Sequence, residues 1–188
     1  LPLLVGDGAQ AATLSLVPGG TSVLRDGLTI TNKATLTGVG GMTGNTTVYG
    51  TNSPGTEGIG VITNSGNVTL AASSVSRFEI GANTTAGSGW DHLVVTGSGT
   101  LTVGGTLKPI LTGGFSPTNT LSFVIMTNTT ASVSGSFANE TSGKVNVYTN
   151  DSIASLAGTF NVVVSNSQYV VLTNFKLPLA SGTVFKFR

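Results

Sequence analysis

Apolar residues alternate with threonine, serine or asparagine along most of this chain of 188 residues. Successive side chains of a β-strand point to opposite faces of a sheet, so each alternating run has one buried face and one solvated face. Glycine and asparagine separate the runs, and both tolerate the positive φ angles of tight turns. The chain is therefore predicted to consist of many short strands without a long helix. The clearest runs lie at 28–31, 34–37, 67–70 and 100–103.

The connections between these runs are often only two or three residues long, as within 28–37 and 101–107. Connections of this length are typical of corners between successive faces of a coil. Thr and Asn also recur at similar places, as expected where side chains stack from one turn of a coil to the next. The fold class is therefore predicted to be all-β, a β-solenoid (parallel β-helix-like) with more antiparallel strands towards the C-terminus. A β-sandwich is the alternative.

The same patterns predict how the chain is divided. Residues 1–12 are interpreted as an N-terminal arm and residues 13–188 as a single β-rich domain, with turns at positions such as 40–41 and 54–55. The predicted strands are 12–17, 21–24, 28–31, 34–38, 46–49, 59–63, 67–71, 75–80, 91–96, 100–103, 106–111, 120–126, 131–134, 144–148, 153–164, 168–173 and 183–187.

Charge is scarce, and this excludes several classes of function. Eight basic and seven acidic residues give a net charge of +1, and the lysines are isolated from one another. No electrostatic surface for nucleic acid or anionic lipid can be assembled from them. No stretch is long and apolar enough for a membrane span. The absence of cysteine excludes disulfides and thiolate metal sites.

A surface built from Thr, Ser, Asn and Gly, rather than from Lys and Glu, is common in secreted bacterial fibres, adhesins and surface layers. Cytosolic proteins normally depend on charge for solubility. The composition therefore predicts a secreted, extracellular protein of the bacterial cell surface.

The residues with reactive side chains do not form a convincing catalytic set. His92 is the only histidine and adjoins Asp91, but neighbours within a strand point to opposite faces and cannot pair. Glu79 and Asp91 can approach each other on adjacent turns of a coil, although a rim acid and a turn acid are the simpler interpretation. The other acids are scattered along the chain. No catalytic residue, cofactor or metal ligand is predicted, and the chain is interpreted as not being an enzyme.

Six segments between residues 76 and 137 share a pattern of aromatic residues, glycines and alternating positions. They read SRFEIG at 76–81, GWDHLVVTG at 89–97, GTLTVGGTL at 99–107, GGFSP at 113–117, FVI at 123–125 and GSF at 135–137. Over about residues 66–140 the pattern resembles the C-terminal part of autotransporter-type passengers and of PEP-CTERM-type bacterial surface proteins. The resemblance implies a β-solenoid, secretion, and a surface or matrix location. It implies no catalytic residues.

These observations favour an extracellular structural protein, the subunit of a surface fibre or matrix or an adhesin that assembles by strand addition. The predicted assembly residues are Leu1, Leu3, Leu4 and Val5, which a Gly-Asp-Gly hinge at 6–8 follows. Added to a neighbouring subunit, this arm would give a homo-oligomer or a filament. Alternatively, the arm caps the first turn of its own coil.

The rival class is a carbohydrate-binding module or a polysaccharide-processing β-helix enzyme, with surface glycans as partners. Such a protein needs an aromatic platform or clustered acids, and the candidate aromatics Trp90, Tyr49, Tyr148 and Tyr169 are dispersed. Six sites fit the N-x-[ST] pattern and are candidates for glycosylation. They are Asn45, Asn67, Asn83, Asn128, Asn139 and Asn150.

Overall fold

The computed structural model describes residues 1–56 and 58–178, and every regular element within these ranges is a β-strand. The prediction of an all-β chain is confirmed. The described part of the chain contains no helix of the length and apolarity needed to cross a membrane.

One sheet contains six parallel strands, each paired with the strand three places further along the chain. We call this sheet the first column. Its strands are β1 (Leu3–Val5), β4 (Leu28–Ile30), β7 (Thr46–Val48), β10 (Val68–Leu70), β13 (Leu101–Val103) and β16 (Val133–Gly135).

A second sheet contains the remaining thirteen strands and begins as two further parallel columns that follow the same pairing rule. The second column is β2 (Ala12–Leu16), β5 (Ala34–Gly38), β8 (Thr51–Pro54), β11 (Val75–Ile80), β14 (Thr106–Leu111) and β17 (Lys144–Tyr148). The third column is β3 (Thr21–Val23), β6 (Gly40–Thr43), β9 (Val61–Ser65), β12 (His92–Thr96) and β15 (Ser122–Asn128). Three successive strands, one from each column, form one tier.

An antiparallel hairpin joins the second and third columns at the C-terminal end. Its strands are β18 (Leu156–Ser165) and β19 (Tyr169–Lys176). β18 pairs with β17 and β19 pairs with β15, both antiparallel, so the thirteen-stranded sheet nearly closes on itself. The antiparallel C-terminal strands agree with the sequence prediction. The predicted strand 183–187 lies outside the described residues.

Period-two alternation sets the inside and outside of each column. In β4, β7, β10 and β13 the two outer residues are buried and the middle threonine is half-buried on the outer face. Register then stacks these middle residues into one outward file, which consists of Thr29, Thr47, Thr69, Thr102 and Ser134. The inward residues form the apolar core, whose largest fully buried side chains include Phe78, Phe123 and Phe160.

Some polar side chains are also buried, and two of them, Asn64 and Asn128, bond to corner carbonyls. Asn64 donates from Nδ2 to the carbonyls of Gly44 and Gly66, at 3.2 and 3.0 Å, and its Oδ1 accepts from the Thr46 hydroxyl at 3.3 Å. Asn128 donates to the Gly99 carbonyl at 3.2 Å. Because tight corners leave carbonyls without ladder partners, these two inward Asn side chains satisfy the carbonyls of Gly44, Gly66 and Gly99.

Three strands are absent from the list of predicted strands, namely β1, which lies in the predicted arm, and β6 and β8. The predicted turn at 40–41 lies inside β6, and the predicted turn at 54–55 overlaps Pro54, the last residue of β8. Crowding requires glycine at position 40 of β6, because a Cβ on Gly40 would lie 2.7 Å from the Val17 carbonyl oxygen. Glycine occurs here because the backbones of two tiers approach closely, and not because the chain turns.

Gly38 is one of the glycines that leave no room for a side chain. It has φ +105°, and a Cβ added to it would lie 2.1 Å from the Leu16 carbonyl oxygen. Gly38→Ala is therefore expected to lower the free energy of unfolding by about 3 kcal/mol or more, since both the backbone angle and the contact are unfavourable. Urea denaturation measures this loss. The matched control is Gly113→Ala, with φ +60° and no atom within 4 Å of the added Cβ. Equal losses in the two variants would contradict the crowding at Gly38.

Candidate functional site

The most distinctive surface of the molecule is the end formed by β1, β2 and β3. These three strands are outermost in their columns, and no described residue pairs with their outer edges. An unpaired strand edge presents a row of free N–H and C=O groups that can template another strand. We call this end, residues 1–27, the open end.

Apolar side chains are concentrated at the open end. Leu3 is 47% and Leu4 59% exposed, and Val17 and Val23 are 68% and 66% exposed. Leu3 and Leu4 also line a shallow recess against the turn that contains Arg25 and Asp26. Free backbone groups and exposed apolar side chains therefore occur on the same surface.

The predicted assembly arm is part of this surface. Residues Leu3, Leu4 and Val5 form β1 and pair in parallel with β4 of the same chain. The Leu3 N–H donates to the Gly27 carbonyl at 2.9 Å, and the Thr31 N–H donates to the Val5 carbonyl at 3.1 Å. The arm is therefore paired within its own chain, where it forms the first-column strand of the first tier. Leu1 is fully exposed, and its amino group contacts Asp26 at 2.9 Å.

A buried acid lies at the corner before β12. Asp91 is fully buried, and its two carboxylate oxygens accept hydrogen bonds from the N–H groups of Gly60 and Glu79, at 2.8 and 2.7 Å. Burial raises the pKa of Asp91 to about 7, although these two hydrogen bonds act in the opposite direction. The side chain connects the start of β9, strand β11 and the start of β12, which is a structural role.

His92 faces away from Asp91, as the alternation predicts. Its Nε2 lies 2.9 Å from the hydroxyl of Thr127 on the neighbouring strand β15. Burial lowers the pKa of His92 to about 4. The histidine is thus neutral at physiological pH, and no acid of the described part of the chain bonds to it as the orienting group of a catalytic base.

The densest group of charges lies on the outer face of the second column. Arg77 contacts Glu79 at 2.8 Å and Asp151 at 3.0 Å, and Lys108 contacts Asp151 at 3.2 Å. These pairs fasten the 149–155 loop to β11 and β14. Asp91 contacts the backbone of Glu79, whereas the Glu79 carboxylate binds Arg77, so the two acids do not form a carboxylate pair. Among the described residues, no three potential ligands are close enough to hold a metal ion.

The four candidate aromatic residues lie in different places and make different contacts. Trp90 donates from Nε1 to the Val124 carbonyl at 2.9 Å and packs against Phe123. Tyr148 lies beneath the Lys108 ammonium, whereas Tyr49 is exposed beside the first column and Tyr169 begins β19. The structure does not bring these four residues together into a sugar-binding platform.

The six N-x-[ST] sites differ in accessibility. Asn128 is fully buried, and its side chain bonds to Gly99, Thr130 and Ala131, so glycosylation of this residue in the folded protein is excluded. Asn139 is half-buried and bonds through its amide to the N–H and C=O of Leu107. The remaining sites are exposed, and they are Asn45, Asn67, Asn83 and Asn150.

Val17 and Val23 belong to the open end but were not among the predicted assembly residues. The alternation shows which face of a strand is solvated, but it does not show which strands are outermost in the sheets, so the sequence carries no signal for them. Comparisons with family models, with curated proteins and with solved structures gave no match to this chain.

Proposed function

We propose that this chain is an extracellular structural protein, a β-solenoid subunit of a bacterial surface fibre or matrix or of an adhesin, which assembles by strand addition. The observation that carries the proposal is the open end, where free strand edges and exposed apolar residues coincide. Strand addition needs both features, because main-chain hydrogen bonds supply affinity and side chains supply buried area.

The β-solenoid assignment is supported by the pairing rule. Strand n pairs with strand n+3 in parallel in all three columns, and the residues of the outward file follow the same register. Each tier buries its apolar face only against its neighbours, which is the organisation of a solenoid. The extracellular location is supported by the Thr-rich, charge-poor surface and by the resemblance to bacterial surface proteins over residues 66–140.

The energies are of the right size for concentration-dependent assembly. Full burial of a Leu or Val side chain stabilises by about 1.5–3 kcal/mol, and each net hydrogen bond adds about 0.5–1.5 kcal/mol. Association opposes this by about 4–15 kcal/mol. Partial burial of Leu3, Leu4, Val17 and Val23 with three short ladders therefore gives weak to moderate self-association.

Placing a charge on the open edge tests the proposal. Leu4→Lys is expected to abolish self-association, because a lysine on an edge strand opposes strand addition. Sedimentation velocity over a range of concentrations measures the effect. The matched control is Thr69→Lys, in the same outward position of the interior strand β10, and it should assemble like the unmodified chain. An unmodified chain that stays monomeric at every concentration, or a Leu4→Lys variant that still assembles, contradicts strand addition at this edge.

A further inference from the structure

We propose that the partner at the open end is the open end of a second copy, so that two chains pair head to head and form a closed two-fold dimer. This inference rests on the proposed strand addition and specifies its partner and geometry, and of the proposed forms it fits a matrix protein or an adhesin and not a fibre that grows by repeated addition. It predicts a dimer where repeated addition would give a filament.

The two ends of the molecule differ, and this difference favours a closed dimer over a head-to-tail filament. At the C-terminal end, β18 covers the edge of β17 and β19 covers the edge of β15. The second and third columns are therefore already paired there, and β16 is the remaining edge strand of the three columns. A chain stacked head to tail finds a free edge for β1 but none in those two columns for β2 and β3. The open end of a second copy offers three edges.

A two-fold axis perpendicular to the columns gives the required strand directions. Rotation by 180° about an axis that passes midway between the two β1 strands, level with their centres, reverses each strand, so β1 lies antiparallel to β1 of the second copy. The same rotation exchanges the second and third columns, so β2 faces β3 of the second copy. All three contacts are antiparallel, and antiparallel pairs are slightly more stable per residue than parallel pairs.

The hydrogen bonds of β1 place Leu4 on this axis. The Leu3 N–H and the Val5 carbonyl point away from the free edge, towards the second tier. The Leu3 N–H donates to the Gly27 carbonyl, and the Val5 carbonyl accepts from the Thr31 N–H. Alternate residues of a strand direct their backbone groups to opposite sides, so the N–H and C=O of Leu4 face the free edge. Two copies of Leu4 can then exchange both hydrogen bonds as a directly opposed pair.

The side chains at the open end suit a surface that meets itself. Leu4 is 59% exposed and would pack against its own symmetry mate across the axis. Arg25 and Asp26 are adjacent and exposed in the turn before β4, and Asp26 contacts the Leu1 amino group at 2.9 Å, so the open end carries charges of both signs. A two-fold interface needs this self-complementarity, because the same patch forms both sides.

Disulfide trapping tests the geometry, and the cysteine-free sequence makes the test clean. Opposed residues in an antiparallel hydrogen-bonded pair have Cα atoms about 5.5 Å apart, within the range that a disulfide can bridge. Leu4→Cys is therefore expected to give a covalent dimer under mild oxidation. The matched control is Ser134→Cys, an exposed residue in the same outward file on β16. It is expected to remain uncross-linked.

Light scattering and electron microscopy of the unmodified chain separate the outcomes. A mass that stops at the dimer, with Leu4→Cys cross-linked, supports the inference. Filaments, with cross-linked polymers only in the Leu4→Cys/Ser134→Cys double variant, overturn head-to-head closure but retain strand addition. Covalent dimers of Ser134→Cys alone, or a dimer that Leu4→Cys does not trap, overturn the proposed axis. A monomer at every concentration overturns both the inference and the proposed function.

Discussion

Replacement of Phe123 by alanine is expected to lower the free energy of unfolding by about 3–5 kcal/mol, a large fraction of the about 5–15 kcal/mol that stabilises a typical folded domain. Phe123 is fully buried on β15. Its ring makes edge contacts with Trp90, Phe115 and Phe160, at centroid distances of 5.3, 6.1 and 5.8 Å. The residue therefore joins the 81–91 corner to the C-terminal hairpin, and its removal leaves a cavity that these rigid rings cannot fill.

Urea denaturation with the matched variant Phe115→Ala measures this effect. Phe115 contacts the same ring but is only partly buried, so its loss is expected to be about half as large or less. Hydrogen exchange provides a second readout, because β19 pairs with β15 and its amides should lose protection in Phe123→Ala. A loss in Phe123→Ala no larger than that in Phe115→Ala would contradict a central role for this ring.

Asp91 and His92 are expected to cancel each other in the pH dependence of stability. The pKa of Asp91 is raised from 3.8 to about 7, so the folded state binds one proton more than the unfolded state between these values. The pKa of His92 is lowered from 6.5 to about 4, so between these values the unfolded state binds one proton more. Stability changes by about 1.4 kcal/mol per pH unit for each proton of difference. From about pH 4 to 6.5 the two slopes have opposite sign.

Single substitutions reveal each slope. Asp91→Asn leaves the histidine, so the free energy of unfolding should rise with pH from about 4 to 6.5. His92→Gln leaves the buried acid, so the free energy of unfolding should fall from about pH 4 to 7. The unmodified chain should be nearly flat up to pH 6.5. Asp7 and Asp151 do not disturb this window, because their lowered pKa values place their contribution below about pH 4. Urea titrations at several pH values measure all three curves, and parallel curves for the three proteins would contradict the assignment.

Alternation was sufficient to predict most of the strands. β11, β14 and β17 have the predicted limits 75–80, 106–111 and 144–148, and buried positions alternate with less buried ones along β11 and through most of β17. β6 and β8 were missed because Gly40, Gly41 and Pro54 are turn formers by local preference. Their place in a strand is decided by neighbouring tiers, which a local pattern does not contain.

The candidate site was predictable to a similar depth. Alternation alone separated Asp91 from His92, and the structure confirms that they do not pair. The burial of Asp91 was not predictable, because its donors at Gly60 and Glu79 lie on other strands and only the tier geometry brings them to the carboxylate. The segment Leu3–Val5 was recognisable from the sequence as an apolar arm. Its place as an outermost strand depends on the order of strands across the whole sheet.

The spacing between paired strands varies widely although their pairing rule does not. Leu28 and its partner Thr46 are 18 residues apart, whereas Val68 and Leu101 are 33 apart. The additional residues leave the ladders as excursions, and doubling the length of a flexible loop costs only about 0.6 kcal/mol. A corner such as Gly113–Gly114, where an added atom meets nothing within 4 Å, can therefore accept a foreign peptide. The framework is suited to displaying inserted epitopes without redesign of its interior.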